Sequence, residues 1–316
     1  MGYAVARSLH VAANLGIADA LDSAPRSAAD LAAATGTNAD ALNRVLRALA
    51  AYGIFEARDG GWVHTDASRM LRTDHPQSLR SFVRLMGLPL CWDSFQPMDY
   101  TVQTGRPALN KVFPGGIWNF LSEHPEESRL FDEGMKGKAQ AQIAGVVANY
   151  DFSGFSTIGD IGGGRGHLLQ AVLAAAPKAK GVLFDQPHVV EQAAALATDR
   201  LRLQGGDFFK DALPACDGYL IMQVIHDWSD QEAAQILNAI RRAASPGAKL
   251  LLIEGRVPAD ATPSWLWALD LFMMTMLTGK ERTEREYQQL LSSAGFRLDR
   301  VIDVGMKTAI HEAVAV

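Results

Sequence analysis

The sequence T-I-G-D-I-G-G-G-R-G, at residues 157–166, joins a short apolar run to a glycine-rich turn. An apolar helical pattern follows from His167 to Ala176, and Pro177 ends it. Glycines let the main chain turn tightly and come close to a ligand. A strand, a glycine turn and a helix in this order form the first unit of a nucleotide-type binding fold. The motif alone is weakly specific, so its meaning depends on the segments around it.

Strands and helices alternate after residue 156, which predicts a parallel sheet with helices on both faces. The predicted strands are 157–161, 181–184, 201–204, 219–225 and 250–253. Capping boxes at S-D-Q-E and T-E-R-E predict helices that begin at Ser229 and Thr283. The tail, 297–304 and 308–316, predicts an antiparallel edge pair around Gly305. The predicted fold class is therefore α/β, with a Rossmann-like, mostly parallel sheet.

The first 150 residues are predicted to be mainly helical. Residues 1–64 predict three helices and then a β-hairpin that turns at Asp59-Gly60-Gly61, which together make a winged-helix-like unit. The third helix has only Arg44 and Arg47 as cations, beside Asp40, whereas a helix that binds a DNA groove usually has more. Packing against a partner chain or against the rest of this chain is therefore favoured over DNA binding.

Composition limits the classes of protein that need to be considered. The 316 residues have a formal net charge of −5 and are 48% hydrophobic, which suits two packed domains and argues against bulk nucleic-acid binding. Cys91 and Cys216 lie far apart, so neither a disulfide framework nor a zinc site is expected. The N-terminus lacks a signal-peptide pattern, and the most apolar run, 265–277, is shorter than the ~20 residues of a membrane span. We expect a soluble, cytoplasmic protein with no membrane partner.

Residues suited to a ligand or to chemistry stand at the carboxyl ends of all five predicted parallel strands. They are Gly162, Asp185, Asp207, His226 and Glu254. In an open α/β sheet, ligands bind in the crevice outside those ends. Asp185 follows Gly166 by 19 positions, where an acid is placed to accept hydrogen bonds from ribose hydroxyls. The pattern therefore predicts a nucleoside-containing ligand.

The glycine spacing indicates which ligand this is. Glycines at 162, 164 and 166 do not match the G-x-G-x-x-G dinucleotide pattern, and no P-loop Lys-Ser/Thr follows. Asp160 stands just before the turn, where it disfavours a pyrophosphate and favours a cation. S-adenosyl-L-methionine has a sulfonium and an ammonium and no phosphate. Asp207 is then expected to accept from the adenine amino group, with Phe208 packed on the ring.

Six motifs occur in a fixed order along the chain: D-I-G-G-G-R-G, F-D-Q-P-H-V-V, G-D-F-F-K-D-A-L-P, H-D-W-S-D, E-G-R-V-P and G-K-E-R-T. In this order they resemble the caffeic-acid-type, class I small-molecule O-methyltransferases, in particular the bacterial natural-product branch. The start of the chain resembles that family's dimerisation domain, although relatives usually have another helix before it. The resemblance implies a homodimer with a dimerisation domain at 1–100, a helical linker and substrate-pocket segment at 101–150, and an S-adenosylmethionine-binding catalytic domain at 151–316.

The resemblance also implies roles for individual residues. His226 matches the general base, and Glu254 and Glu281 match the acids that flank and orient it. The implied cofactor contacts are Gly162, Gly164, Asp185, Asp207 and Phe208. The family often has a cofactor-contacting lysine four residues before the histidine; here Met222 stands there with Gln223 next to it, so Gln223 is included as a candidate contact. Met135 matches a substrate-pocket methionine, Phe131 lies one turn before it, and Met273 is a looser pocket candidate.

The predicted function is transfer of a methyl group from S-adenosylmethionine to a hydroxyl of a small phenolic compound, with S-adenosyl-L-homocysteine as the product. Two other functions remain open: a methyltransferase-like protein with diverged hydroxylation or decarboxylation chemistry, and a DNA-binding regulator. A magnesium site at His226, Asp227 and Asp230 is a further alternative. We expect no metal, because Asp230 fits the start of a helix.

Overall fold

A computed structural model describes residues 1–316, apart from the side chain of Lys138. The chain forms two compact units. The first consists of Met1–Pro97 and Leu109–Ala141, and the second of Met98–Ala108 and Gln142–Val316.

The first unit begins with a helical bundle and a hairpin. Its elements up to residue 92 are α1 Gly2–Asn14, α2 Ala28–Thr35, α3 Ala39–Ala50, β1 Phe55–Arg58, β2 Gly61–His64, α4 Asp66–Arg69, α5 Arg80–Met86 and α6 Pro89–Trp92. Ser27 and Asn38 cap α2 and α3 by accepting backbone N–H groups of the first turn. Leu42, Leu46 and Leu49 lie on one face of α3 and are buried in the core of this unit. The predicted three helices and hairpin are therefore present.

Four helices follow: α7 Met98–Thr104, α8 Leu109–Val112, α9 Gly116–Glu123 and α10 Pro125–Asn149. Of these, α7 belongs to the second unit, α8 and α9 to the first, and α10 begins in the first and ends in the second. The segment is mainly helical, as predicted.

The second unit contains a seven-stranded sheet. Its strands are β3 Thr157–Ile161, β4 Lys180–Asp185, β5 Leu201–Gly205, β6 Gly218–Met222, β7 Lys249–Gly255, β8 Phe296–Gly305 and β9 Thr308–Ala315. The spatial order is β5-β4-β3-β6-β7-β9-β8. The first five strands are parallel, whereas β9 runs antiparallel to both β7 and β8. The predicted α/β fold class, with a mostly parallel sheet and an antiparallel edge pair, is confirmed.

Helices cover both faces of this sheet. The helices of this part of the chain are α11 His167–Ala175, α12 Pro187–Gln192, α13 Asp230–Ala243, α14 Leu266–Met276 and α15 Glu284–Ser293. Residues of α11 pack in the apolar cluster on one face of the sheet, and residues of α13 and α15 pack in the cluster on the other. Successive residues of a strand point to opposite faces. Leu250 and Leu252 of β7 accordingly pack in one apolar cluster, and Leu251 and Ile253 in another. Both predicted capping boxes are present, at Ser229 with Glu232 and at Thr283 with Glu286.

One predicted strand is wrong at its end. The apolar run 219–225 predicts a strand through Ile225, but β6 ends at Met222. Gln223 has a φ of 54°, and a 3₁₀ turn at Ile225–Asp227 replaces the strand. The N–H groups of Val224 and Ile225 donate to the Glu254 carboxylate, so the main chain bends around that group instead of extending the sheet.

None of the helices among the described residues combines the length and the apolar character that a bilayer span requires.

The buried hydroxyl of Tyr219 provides a test of this fold. It donates to the Pro214 carbonyl at 2.9 Å and accepts the Cys216 N–H at 2.9 Å, next to the start of β6. Tyr219→Phe leaves both main-chain groups unsatisfied, so we expect the free energy of unfolding to fall by about 1–3 kcal/mol. Urea unfolding measures this, with Tyr52→Phe as the control because Tyr52 is exposed. Equal midpoints for the two variants would contradict the assigned role.

Candidate active site

The glycine turn lies at the carboxyl edge of the sheet, between β3 and α11. Gly164 has a φ of 56°, and a Cβ atom there would meet nothing within 4 Å, so its main chain faces open space. Its N–H donates to Asp185 Oδ2 at 2.7 Å. Asp185 ends the neighbouring strand β4, and its Oδ1 accepts the Gln186 N–H at 2.7 Å. The carboxylate at the end of β4 therefore fixes the glycine turn after β3.

Asp160 places a buried carboxyl group beneath this turn. Its side chain is buried, and within the described part of the chain its Oδ2 has no hydrogen-bond partner. Burial, and then the nearby Asp185 carboxylate, raise the pKa of Asp160 to about 7. A Cβ atom at Gly163 would lie 2.5 Å from the Asp160 carboxyl group, so the turn packs directly on this acid. A cation bound at this edge would be favoured by both carboxylates.

Asp207 and Phe208 follow β5 at the same edge. Asp207 Oδ1 accepts the Phe209 N–H at 2.9 Å, and Lys210 Nζ lies 2.8 Å from Oδ2 and lowers the pKa of Asp207. The Phe208 ring makes edge-to-face contacts with the rings of Phe209 and Trp228. Trp228 thus joins the segment after β5 to the segment after β6. It was not among the predicted site residues, although it stands within H-D-W-S-D.

His226 lies in the 3₁₀ turn after β6 and is buried. Its Nδ1 is 2.7 Å from Glu281 Oε1, a hydrogen bond that fixes the orientation of the ring. Its other nitrogen, Nε2, lies 3.5 Å from Asp227 Oδ1. If the proton resides on Nδ1 opposite Glu281, the lone pair of the neutral ring is on Nε2.

Glu254, at the end of β7, contacts mainly the main chain of this turn. Its Oε1 accepts the N–H groups of Val224 at 3.0 Å and Ile225 at 2.8 Å. Its Oε2 accepts from Gln223 Nε2 at 3.1 Å and lies 4.0 Å from His226 Nδ1. The two glutamates therefore hydrogen-bond different parts of this turn: Glu281 bonds the imidazole ring, and Glu254 bonds the main chain.

Charge in this cluster favours the protonated histidine. Burial lowers the pKa of His226, but the carboxylates of Glu254, Asp227 and Glu281 outweigh it and raise that pKa to about 9. Burial also raises the pKa of Glu254, to about 7. The acids around this turn therefore stabilise the imidazolium form of His226.

The segment with Glu281 lies against the histidine turn because Gly279 has no side chain. A Cβ atom there would be 1.9 Å from the His226 carbonyl oxygen and 2.4 Å from the Asp227 carbonyl carbon. Asp270 of α14 accepts the Glu281 N–H at 2.8 Å and so orients the segment from its other side.

Arg282 is a second residue that was not predicted. Its side chain is fully buried. It donates to the carbonyl oxygens of Ile225 at 3.0 Å and Trp228 at 2.9 Å, and to Asp230 Oδ1 at 3.0 Å. The sequence signal was its place next to Glu281 in G-K-E-R-T.

The predicted pocket residues lie in different units. Phe131 and Met135 are one turn apart on the part of α10 that belongs to the first unit, where Phe131 makes an edge-to-face contact with Trp118. Met273 is buried on α14 of the second unit.

No group of three or more His, Cys, Asp or Glu side chains among the described residues is arranged to hold a metal ion. Asp230, one of the ligands considered for magnesium, is paired with Lys280 and Arg282.

Comparison with known proteins identifies the family. Residues 95–297 match the model of the O-methyltransferase domain, and residues 1–74 match that of the O-methyltransferase dimerisation domain. The phenazine O-methyltransferase of Lysobacter antibioticus is 39% identical over 318 residues, which cover 99% of this chain and 93% of the relative.

Two solved structures extend the comparison to bound ligands. A methyltransferase of calicheamicin biosynthesis, in its S-adenosylhomocysteine-bound form, matches with a TM-score of 0.90 and 33% identity, over 100% of this chain and 96% of the other. An O-methyltransferase of neocarzinostatin biosynthesis, in complex with S-adenosylmethionine and 2-hydroxy-5-methyl naphthoic acid, matches with a TM-score of 0.83 and 31% identity, over 99% and 96%.

The carboxyl edge of the sheet fits S-adenosylmethionine, which supplies a methyl group on a cationic sulfonium. The buried Asp160 carboxyl group, whose Oδ2 has no partner among the described residues, and the neighbouring Asp185 favour a cation, and the main chain at Gly164 is open to a ligand. The family model spans most of the chain, and the curated relative covers nearly all of it. The chain belongs to the S-adenosylmethionine-dependent O-methyltransferases of natural-product biosynthesis.

Proposed function

We propose that this enzyme methylates a hydroxyl group of a small aromatic natural product, with His226 as general base and without a metal ion. The observation that supports the base is the 2.7 Å contact of His226 Nδ1 with Glu281, which leaves Nε2 to take the proton. Two of the similar proteins described above are named for, or bound to, aromatic compounds: a phenazine and a naphthoic acid. This supports an aromatic methyl acceptor.

The chemistry follows from the two nitrogens of the ring. A phenol has a pKa near ~10 and is a weak nucleophile when neutral. As the O–CH₃ bond forms and the S–CH₃ bond breaks, the hydroxyl proton passes to His226 Nε2. Glu281 stabilises the resulting imidazolium through Nδ1, and Asp227 lies close enough to Nε2 to add to this stabilisation.

The cofactor-binding role is proposed for the glycine turn and the acids at the strand ends. The residues are Gly162, Gly164, Asp185, Asp207, Phe208 and Gln223. Open space at Gly164 supports close approach of the main chain, and the position of Asp185 at the end of β4 supports ribose binding. Gln223 follows β6 directly, at the same edge of the sheet, and its Nε2 donates to Glu254 at 3.1 Å. As residues that contact the acceptor we propose Phe131 and Met135 of the first unit and, separately, Met273 of the second.

We further propose that the enzyme is a homodimer formed through its N-terminal domain. The match of residues 1–74 to the dimerisation domain supports this assembly. The formal net charge of −5 supports an enzyme that does not act on nucleic acid.

Removal of the base should reduce turnover without reducing cofactor affinity. We expect His226→Ala to lower kcat about 100- to 10,000-fold, the usual contribution of a general base. Calorimetric titration should show unchanged S-adenosylmethionine affinity. His75→Ala is the matched control, because His75 lies in the first unit, where its Nδ1 accepts the Gln77 N–H of the same turn. Wild-type turnover in His226→Ala would refute the proposed base.

The pH dependence of the rate provides an independent test. His226 accepts a proton only when neutral, and its pKa is raised to about 9, so kcat/KM should increase between about pH 6 and about pH 9. Glu281→Gln removes one charge that favours the imidazolium, so the acid limb should shift to lower pH while the maximal rate falls. Glu284→Gln, which changes an exposed acid paired with Arg256, should leave the limb in place. An acid limb at the same pH in Glu281→Gln and wild type would exclude Glu281 as the partner of His226.

Metal independence is supported by the partners of the nearby acids. Asp230 pairs with Lys280 and Arg282, Glu254 accepts main-chain N–H groups, and Glu281 bonds His226. We therefore expect the same rate in excess EDTA as in its absence, and no increase when Mg²⁺ is added. Loss of activity in EDTA that Mg²⁺ restores would show that a metal takes part.

A further inference from the structure

We propose that Arg282 is a positioning residue for the reaction: together with Glu254 it fixes the main-chain turn that presents His226. The inference rests on the proposed role of His226 as base. Arg282 itself contacts main chain and Asp230, so it would act only through the position of the histidine.

The turn after β6 needs external hydrogen-bond partners. A 3₁₀ segment of three residues, Ile225–Asp227, satisfies few of its own N–H and C=O groups. The chain enters it through Gln223, whose φ of 54° is unfavourable for a residue with a side chain. A buried turn of this kind is stable only if its surroundings bind its polar groups.

Two buried charged groups bind it from its two ends. Glu254 accepts the N–H groups of Val224 and Ile225, at the end of the turn where N–H donors need a partner. Arg282 donates to the carbonyl oxygens of Ile225 and Trp228, at the end of the turn where C=O acceptors need a partner. An anion at the N–H end and a cation at the C=O end are the arrangement that a helical turn favours electrostatically. The histidine lies between the two.

The guanidinium has enough partners to remain charged while buried. Asp230 Oδ1 lies 2.9 Å from Arg282 Nη2 and 3.0 Å from Nε, and the Lys280 carbonyl accepts from Nη1 at 3.3 Å. A buried charge is tolerated when it is paired and hydrogen-bonded in this way. Three different donor directions are used, which the planar fork of arginine supplies and the single ammonium of lysine does not.

Arg282 also connects the histidine backbone to the histidine ring. Arg282 follows Glu281 directly. In this dipeptide, Arg282 donates to the main chain of the turn, and Glu281 accepts from the His226 ring. The Arg282 carbonyl in turn accepts the Val257 N–H at 3.1 Å, which fastens the dipeptide to the chain just after β7. The distance between the ring and its carboxylate partner is therefore set through Arg282.

A double-mutant cycle tests this role. A misplacement of about 1 Å can cost about 100-fold in rate, so we expect Arg282→Lys to lower kcat about 10- to 100-fold with S-adenosylmethionine affinity unchanged by calorimetry. In the His226→Ala background the same substitution should cost nothing further, because the group that it positions is absent. Arg241→Lys is the matched control: Arg241 also donates to main-chain carbonyls, at Gly295 and Val316, and should leave kcat unchanged.

The outcomes separate this inference from the proposed function. A loss of equal size in both backgrounds, an unchanged kcat, or weakened cofactor affinity in Arg282→Lys would overturn the positioning role. Full activity of His226→Ala alone would instead overturn the proposed base. If Arg282→Lys does not fold, Asp230→Asn takes its place in the same cycle, because it removes the charge partner of the guanidinium at a side chain that is 60% exposed. It should then give a smaller kcat loss that also disappears in the His226→Ala background, and a loss that persists there would overturn the inference.

Discussion

The 2.7 Å hydrogen bond between His226 and Glu281 joins segments that are 55 residues apart, and much of the surrounding structure keeps those two groups together. Neither residue lies in a long regular element. One is in a three-residue turn after β6, and the other is in a segment between α14 and α15. Each is fixed by a carboxylate from elsewhere: Glu254 accepts N–H groups of the turn, and Asp270 accepts the Glu281 N–H. The parallel sheet brings the ends of β6 and β7 side by side, so Glu254 reaches the turn directly.

Most of the second unit could be predicted from the sequence because its signals are local. Glycine turns, capping boxes and apolar runs depend on neighbours within a few residues. They correctly predicted three of the helices, α11, α13 and α15, and the parallel strands apart from the end of β6. Residues at strand ends could be assigned to one edge of the sheet, because parallel strands share that edge. His226, Glu254 and Glu281 also stand in motifs whose order resembles a known family. The positions of Asp185 and Asp160 at this edge likewise led to the hypothesis that the site binds a cationic nucleoside.

The different hydrogen-bond partners of Glu254 and Glu281 could not be predicted from the sequence. Sequence spacing does not show whether Glu254 contacts the imidazole or the backbone beneath it, since both are within reach of one side chain. For the same reason the run 219–225 was predicted as strand throughout: local propensity favours extension, and a carboxylate on the adjacent strand overrides it. Arg282 was missed because a charged residue next to a capping box is usually exposed. Its burial depends on carbonyl groups more than fifty positions earlier in the chain.

The close contact between the His226 turn and the segment that contains Gly279 limits which substitutions this chain can accept. Gly279 has no functional group, no charge and no hydrogen-bonding side chain. Yet even a methyl group there would overlap the backbone of His226 and Asp227. A substitution at this position that looks conservative by size or hydropathy would therefore push His226 away from Glu281. A residue without a side chain is therefore required where the two segments meet.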